Sequence, residues 1–133
     1  MLGAFGNFWT LRLQNQLRFI AQLDSRHVWI ADRQKNGSAL LESSGRPYAE
    51  AQEDYAVISR FEDSTGQQQV LLLAGTGDGG RAAGDFVTNP KHLEALAARA
   101  PHGWGSRNLQ VIISVRLVSG AIGSPRILAV HYW

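Results

Sequence analysis

The sequence predicts a three-layer α/β domain built on a mixed, partly parallel sheet that closes in a C-terminal β-hairpin. Three observations lead there. Gln69 to Ala74 and Leu109 to Val118 are uninterrupted apolar runs, the pattern of strands covered on both faces. The first run ends in a burst of glycines, Gly75-Thr76-Gly77-Asp78-Gly79-Gly80, and passes into helix at Arg81. A helical crossover then separates the two runs, which is the connection that parallel strands need, with the right-handed sense such units favour.

Taken in order, the chain opens on an apolar–glycine segment, Gly3 to Asn7, in which Asn7 can cap a helix starting at Phe8. Trp9, Leu13 and Leu17 fall on one helical face; a strand of period two through Trp9, Leu11 and Leu13 is the competing reading. Arg18 to Leu23 and His27 to Asp32 read as short strands around Asp24-Ser25-Arg26. Arg33 to Glu53, polar and with Ser, Gly and Pro, reads as a long connecting loop, with Pro47-Tyr48 covering a core edge. Asp54 to Phe61 is a strand, and the turn Glu62 to Gly66 returns it as a hairpin into the Val70 strand. After the glycines one helix runs to about Thr88. Asn89 then caps a second helix with Pro90 at its first position, and Pro101 stops it. Trp104 anchors the following loop. Ser119 to Pro125 turns the Leu109 to Val118 strand back as Arg126 to Trp133. The Val70 and Val111 strands are expected at the centre of the sheet, adjacent or nearly so.

Composition narrows the function classes. The 133 residues form one domain, expected to be a module of a larger protein. There is no cysteine, which excludes disulfides, thiolate zinc sites and cysteine nucleophiles. The net charge is only +2, with the arginines scattered singly, so the concentrated basic stripe of a nucleic-acid groove is not visible in the linear sequence. No apolar run reaches the roughly 20 residues that span a bilayer, and the first residues lack the pattern of a signal peptide. The composition is compatible with cytosol or periplasm, and the cytoplasm is favoured.

Several segments carry a resemblance to a known group. Asp54-Tyr55-Ala56-Val57-Ile58-Ser59-Arg60, Ala74-Gly75 through Gly79-Gly80, and Ala82-Ala83-Gly84-Asp85-Phe86-Val87-Thr88-Asn89-Pro90 form one half of it. Trp104, Asn108-Leu109-Gln110-Val111 and Ala129-Val130-His131-Tyr132-Trp133 form the other. From about Gly3 onward the chain resembles an uncharacterised bacterial α/β domain usually found as the C-terminal module of larger regulatory or conflict-related proteins. The resemblance implies a Rossmann-like fold and an apolar strand ahead of Gly3, and brings no established activity or catalytic residue. The family's loop has its glycines further apart than Gly75, Gly77 and Gly80.

The candidate site is that loop. Gly75, Gly77 and Gly80 meet the G-x-G-x-x-G spacing between a strand and a helix, where backbone N–H groups could cradle a small anion or nucleotide. Against a dinucleotide stand the two-part crossover and the lack of a ribose-holding acid on the Leu109 strand; Glu94 has the right spacing but lies in helix. A tight turn with close helix–sheet packing is the plainer reading. Thr76 and Asp78, with Asn7 if its loop converges on the same sheet edge, would add side-chain hydrogen bonds. Hydrolytic chemistry has little support: no serine sits in a nucleophile elbow, and His27, His92, His102 and His131 are dispersed. The leading expectation is therefore a non-catalytic sensory or ligand-binding module with no assigned cofactor. The alternatives are a protein–protein interaction or oligomerisation domain, and a fragment of an NAD-type enzyme.

Overall fold

The computed structural model describes residues 8–23, 28–36, 38–42, 53–75 and 77–133. Helix α1 (Phe8–Gln14) leads into a three-stranded sheet of β1 (Phe19–Leu23), β2 (Val28–Asp32) and β3 (Ser38–Glu42), in that order. The larger sheet holds β4 (Glu53–Glu62), β5 (Gln69–Gly75), β6 (Leu109–Val118), the two-residue β7 (Ala121–Ile122) and β8 (Arg126–Tyr132). Its order is β5-β4-β6, with β7 and β8 both pairing with β6. Helices α2 (Gly77–Thr88) and α3 (Pro90–Ala97) connect β5 to β6.

Among the described residues every strand pair is antiparallel, which overturns the mixed, partly parallel Rossmann-like α/β sheet expected from the sequence. The helical crossover does bring β6 back in the direction of β5, but β4 lies between them and is antiparallel to both. The β4–β5 hairpin has already used one edge of β4, so β6 takes the other. The apolar run of β6 misled for a physical reason. Burial on both faces marks a covered central strand whatever its direction. Here the larger sheet, which curls as a half-barrel, has α2 and α3 on one face and the β1–β2 sheet with the end of α1 on the other. The stretch from Arg33 to Glu53 is also not all loop: Arg33–Lys35 form a 3-10 turn capped by Asp32, and β3 follows. Pro47, Tyr48, Gly3, Asn7, His27 and the Asp24-Ser25-Arg26 turn lie outside the described residues.

Alternation along the strands sorts the core. Ala56, Ile58, Leu73, Leu109, Val111, Ile113 and Val115 face α2 and α3, meeting Ala82, Ala83, Phe86 and Leu96. Val57, Phe61, Leu72, Ala74 and Ile112 face the small sheet and α1, meeting Leu17, Phe19, Ala21 and Ile30. The second interface also contains a polar clamp. The fully buried Gln110 side chain accepts a hydrogen bond from the Phe19 N–H (2.9 Å), and its Nε2 donates to the Phe19 carbonyl (2.9 Å) and to Ser59 Oγ (2.9 Å). One amide thus stands in for a neighbouring strand at Phe19, whose buried N–H and carbonyl would otherwise lack these partners.

The glycines fix how close α2 comes. A Cβ on Gly79 would lie 2.3 Å from the Tyr55 carbonyl oxygen, and one on Gly75 would lie 2.9 Å from both Ala56 Cβ and Gly80 N. Gly84, inside the same helix, would meet nothing within 4 Å. Gly79→Ala should therefore push α2 off β4 and cost about 3 kcal/mol or more, as overpacking does. Gly84→Ala should stabilise by about 0.5–1 kcal/mol, because it removes backbone freedom from the unfolded chain. Urea denaturation of the two variants checks the opposite signs.

Candidate functional site

Three places bring chemically informative side chains together. The first is the glycine segment. Gly77 to Gly80 are not a free loop but the first turn of α2, with Gly77 at a φ of 40°. The buried Asp54, at the start of β4, reaches this turn: its Oδ2 accepts from the Gly79 N–H at 2.7 Å, and its Oδ1 accepts from its own neighbour Tyr55 N at 2.9 Å. A carboxylate at a helix N-terminus satisfies an orphan donor and complements the helix dipole. An incoming anion would have to displace it. Asp78 sits on the same turn with its carboxylate 3.7 Å from Arg81, an exposed pair. Of the residues predicted to form a site, Gly75, Gly77, Asp78 and Gly80 lie together here, while Thr76 and Asn7 fall outside the described residues. Asp54 was missed because it sits 23 positions before Gly77; the only signal is an acid opening an apolar strand.

The second is a charged cluster between the sheets. Arg18 grips Asp32 through two hydrogen bonds, Nε to Oδ1 at 3.0 Å and Nη2 to Oδ2 at 2.8 Å. The Asp32 side chain is 1% exposed and that of Arg18 is 25% exposed, so the bidentate pair is strong and Asp32 depends on it. The hydrogen bond from Arg18 holds the Asp32 carboxyl below the usual carboxylate range, and the pairing raises the Arg18 guanidinium. His131 on β8 sits with Nδ1 3.4 Å from Arg18 Nη1, edge-on to Phe19 and stacked on Trp133 at 5.4 Å. Burial, then the Arg18 charge, lower the His131 pKa; Asp32 opposes them. The dispersed histidines thus include one that joins a cluster, through a strand order that only the fold reveals. His92 also finds an acid, with Nε2 3.1 Å from Asp85 Oδ2 and its ring stacked on Phe86. Among the described residues no group of three or more His, Cys, Asp or Glu is placed to hold a metal.

The third is a cleft of about 570 Å³ between the helices and the sheet. Its floor is Ile58, Leu109 and Val111, which point from β4 and β6 toward the helices. Phe86 from α2 and Leu93, Leu96 and Ala97 from α3 make one wall, Leu71 of β5 another, and Trp104 closes an end. Leu71 and Leu93 are exposed large apolar side chains, one on the strand wall and one on the helix wall. Arg60 and Glu94 supply the charge. Arg60 is held in place: Nη2 donates to the Trp104 carbonyl (2.9 Å) and the Arg107 carbonyl (2.7 Å), and its guanidinium lies 5.4 Å from the Trp104 ring centre. In the sequence Leu93 reads only as part of a helix's core face. That it is left uncovered follows from how α3 sits on the sheet.

No family model, curated protein or solved structure matches this chain. Among the described residues no helix is long and apolar enough to cross a membrane.

Two outcomes follow from these geometries. Asp54→Asn removes the charge and turns an NH2 toward one of the two N–H groups that the carboxylate accepts from, so it should cost about 2–3 kcal/mol by urea denaturation, the loss of one buried hydrogen bond and of the charge on the other. His131 has its folded-state pKa below an unfolded value of about 6.5, so the unfolded chain takes up its proton first and stability falls as pH drops through that value. The thermal midpoint should therefore fall between pH 7 and pH 5, and His131→Gln should flatten that fall.

Proposed function

We propose that this chain is a non-catalytic ligand-binding module, and that its ligand is a small, largely apolar molecule lying in the cleft between α3, β5 and Trp104. The observation that carries this reading is the pair Leu71 and Leu93, large apolar side chains left exposed on two walls of one concavity. Exposed apolar side chains scattered singly need no explanation, whereas two converging on one apolar floor favour an occupant. The volume of about 570 Å³ falls within the range of small-molecule sites, about 300–1,000 Å³. A protein partner would instead need a face of roughly 800 Å². The glycine turn supports an anion or nucleotide less well than the cleft supports an apolar ligand, because Asp54 already uses the Gly79 N–H.

Titration with Nile Red tests the reading. The dye should bind with one-to-one stoichiometry, and Leu93→Glu should weaken it at least about tenfold, the effect of placing a charge against an apolar ligand. Because Leu93 is exposed, the thermal midpoint should move little. Dye binding unchanged by Leu93→Glu would place the ligand elsewhere. Self-association without dye binding would favour the interaction-domain alternative.

A further inference from the structure

A second groove, of about 480 Å³, adjoins the apolar cleft and shares Arg60 and Leu71 with it. Its lining is more polar than the cleft's: Glu62, Gln69, Arg107 and Asn108 border it with Val70, beside the Gly105–Ser106 backbone. Two of the side-chain acceptors there are engaged. Glu62 Oε1 accepts from Gln69 Nε2 at 3.2 Å, and Asn108 Oδ1 accepts from the Glu62 N–H at 3.0 Å. The cationic donors are not. Arg60 spends only Nη2 on the two carbonyls, leaving Nε and Nη1 without a partner among the described residues, and the exposed Arg107 guanidinium bonds none of them either. One apolar cleft thus opens onto one polar groove with a surplus of guanidinium donors, and Arg60 stands at the junction.

Resting on the reading of the cleft as a ligand site, we infer that the ligand is a single-chain anionic amphiphile, with its apolar chain between α3 and β5 and its anionic head at Arg60 and Arg107. Arg60 is suited to the junction because its planar group is already oriented by Trp104 and Arg107, so little side-chain freedom remains to be lost on binding. Glu94, the acid of the cleft, is exposed on α3, and the groove's two guanidiniums outnumber its one carboxylate, Glu62, which disfavours a cationic head there.

The test compares monomeric dodecanoate, dodecan-1-ol and dodecyltrimethylammonium by displacement of Nile Red, below the micelle concentrations of the two ions and the solubility limit of the alcohol. Dodecanoate should bind about tenfold more tightly than the alcohol, the effect of one charge-assisted hydrogen bond, and the cation most weakly. Arg60→Gln should bring acid and alcohol to within about twofold. Since Arg60 also secures the Trp104 turn, Arg107→Gln is the companion variant: its side chain bonds no described residue, so the acid preference should shrink with the thermal midpoint unchanged. Equal binding of acid and alcohol by the unaltered protein would overturn the anionic head and leave the apolar cleft standing. A preference that survives both substitutions would overturn the assignment to these arginines. Failure of all three compounds to displace the dye, or failure of the dye itself to bind, would remove the cleft and with it this inference.

Discussion

The contact on which the rest of the architecture depends is the approach of the α2 N-terminus to β4. Two glycines with no room for a Cβ let the helix backbone meet the strand backbone, and the Asp54 carboxylate fastens the approach through the Gly79 N–H. Close approach places Ala82, Ala83 and Phe86 directly over Ala56, Ile58 and Val111. It also sets where α3 can go. Entered through Asn89 and Pro90, α3 buries Leu96 against the core while Leu93 stays exposed. The cleft is the space between that helix and the β5 wall.

The two faces of the larger sheet are solved by different physics. Toward the helices the contacts are apolar, and stability comes from packing and from area removed from water. Toward the small sheet, apolar side chains share the interface with Gln110, Ser59, Asp32 and Arg18, each held by a specific hydrogen bond. Such an interface tolerates fewer arrangements than an apolar one, since each buried polar group must find its partner. Gln110 therefore ties β1 to the larger sheet, and the Arg18–Asp32 pair ties the start of β1 to the end of β2. Among the described residues Ser114 Oγ and Tyr132 OH are the buried side-chain polar atoms that find no partner, one on each face.

Arg60 links the fold to the proposed function. It lies on the helix side of β4, between the apolar floor and the polar groove, and holds the Trp104 turn through two carbonyls. Its neighbours Ile58 and Ala56 on the same face are core residues. A cation in that alternation marks the place where the apolar layer ends and the groove begins.

Much of the element content was legible in the residues themselves. The hairpin turn at Glu62 to Gly66, the Asn89–Pro90 helix start, and the apolar runs of β5 and β6 are local signals, because capping, proline geometry and side-chain periodicity act over a few residues. Strand order beyond the hairpins was not legible. A run buried on both faces looks the same whether its neighbours are parallel or antiparallel, and the crossover after β5 gives direction but not adjacency. β3 stayed hidden because its polar surroundings read as loop. The glycine spacing resembled an anion cradle because sequence shows that a Cβ is missing, not what fills the space. Tertiary structure put the Tyr55 carbonyl and the Asp54 carboxylate there, and it left Leu71, Leu93 and Arg60 around one cleft. Those meetings join residues 11 to 33 positions apart, a separation at which only the packed chain decides what touches what.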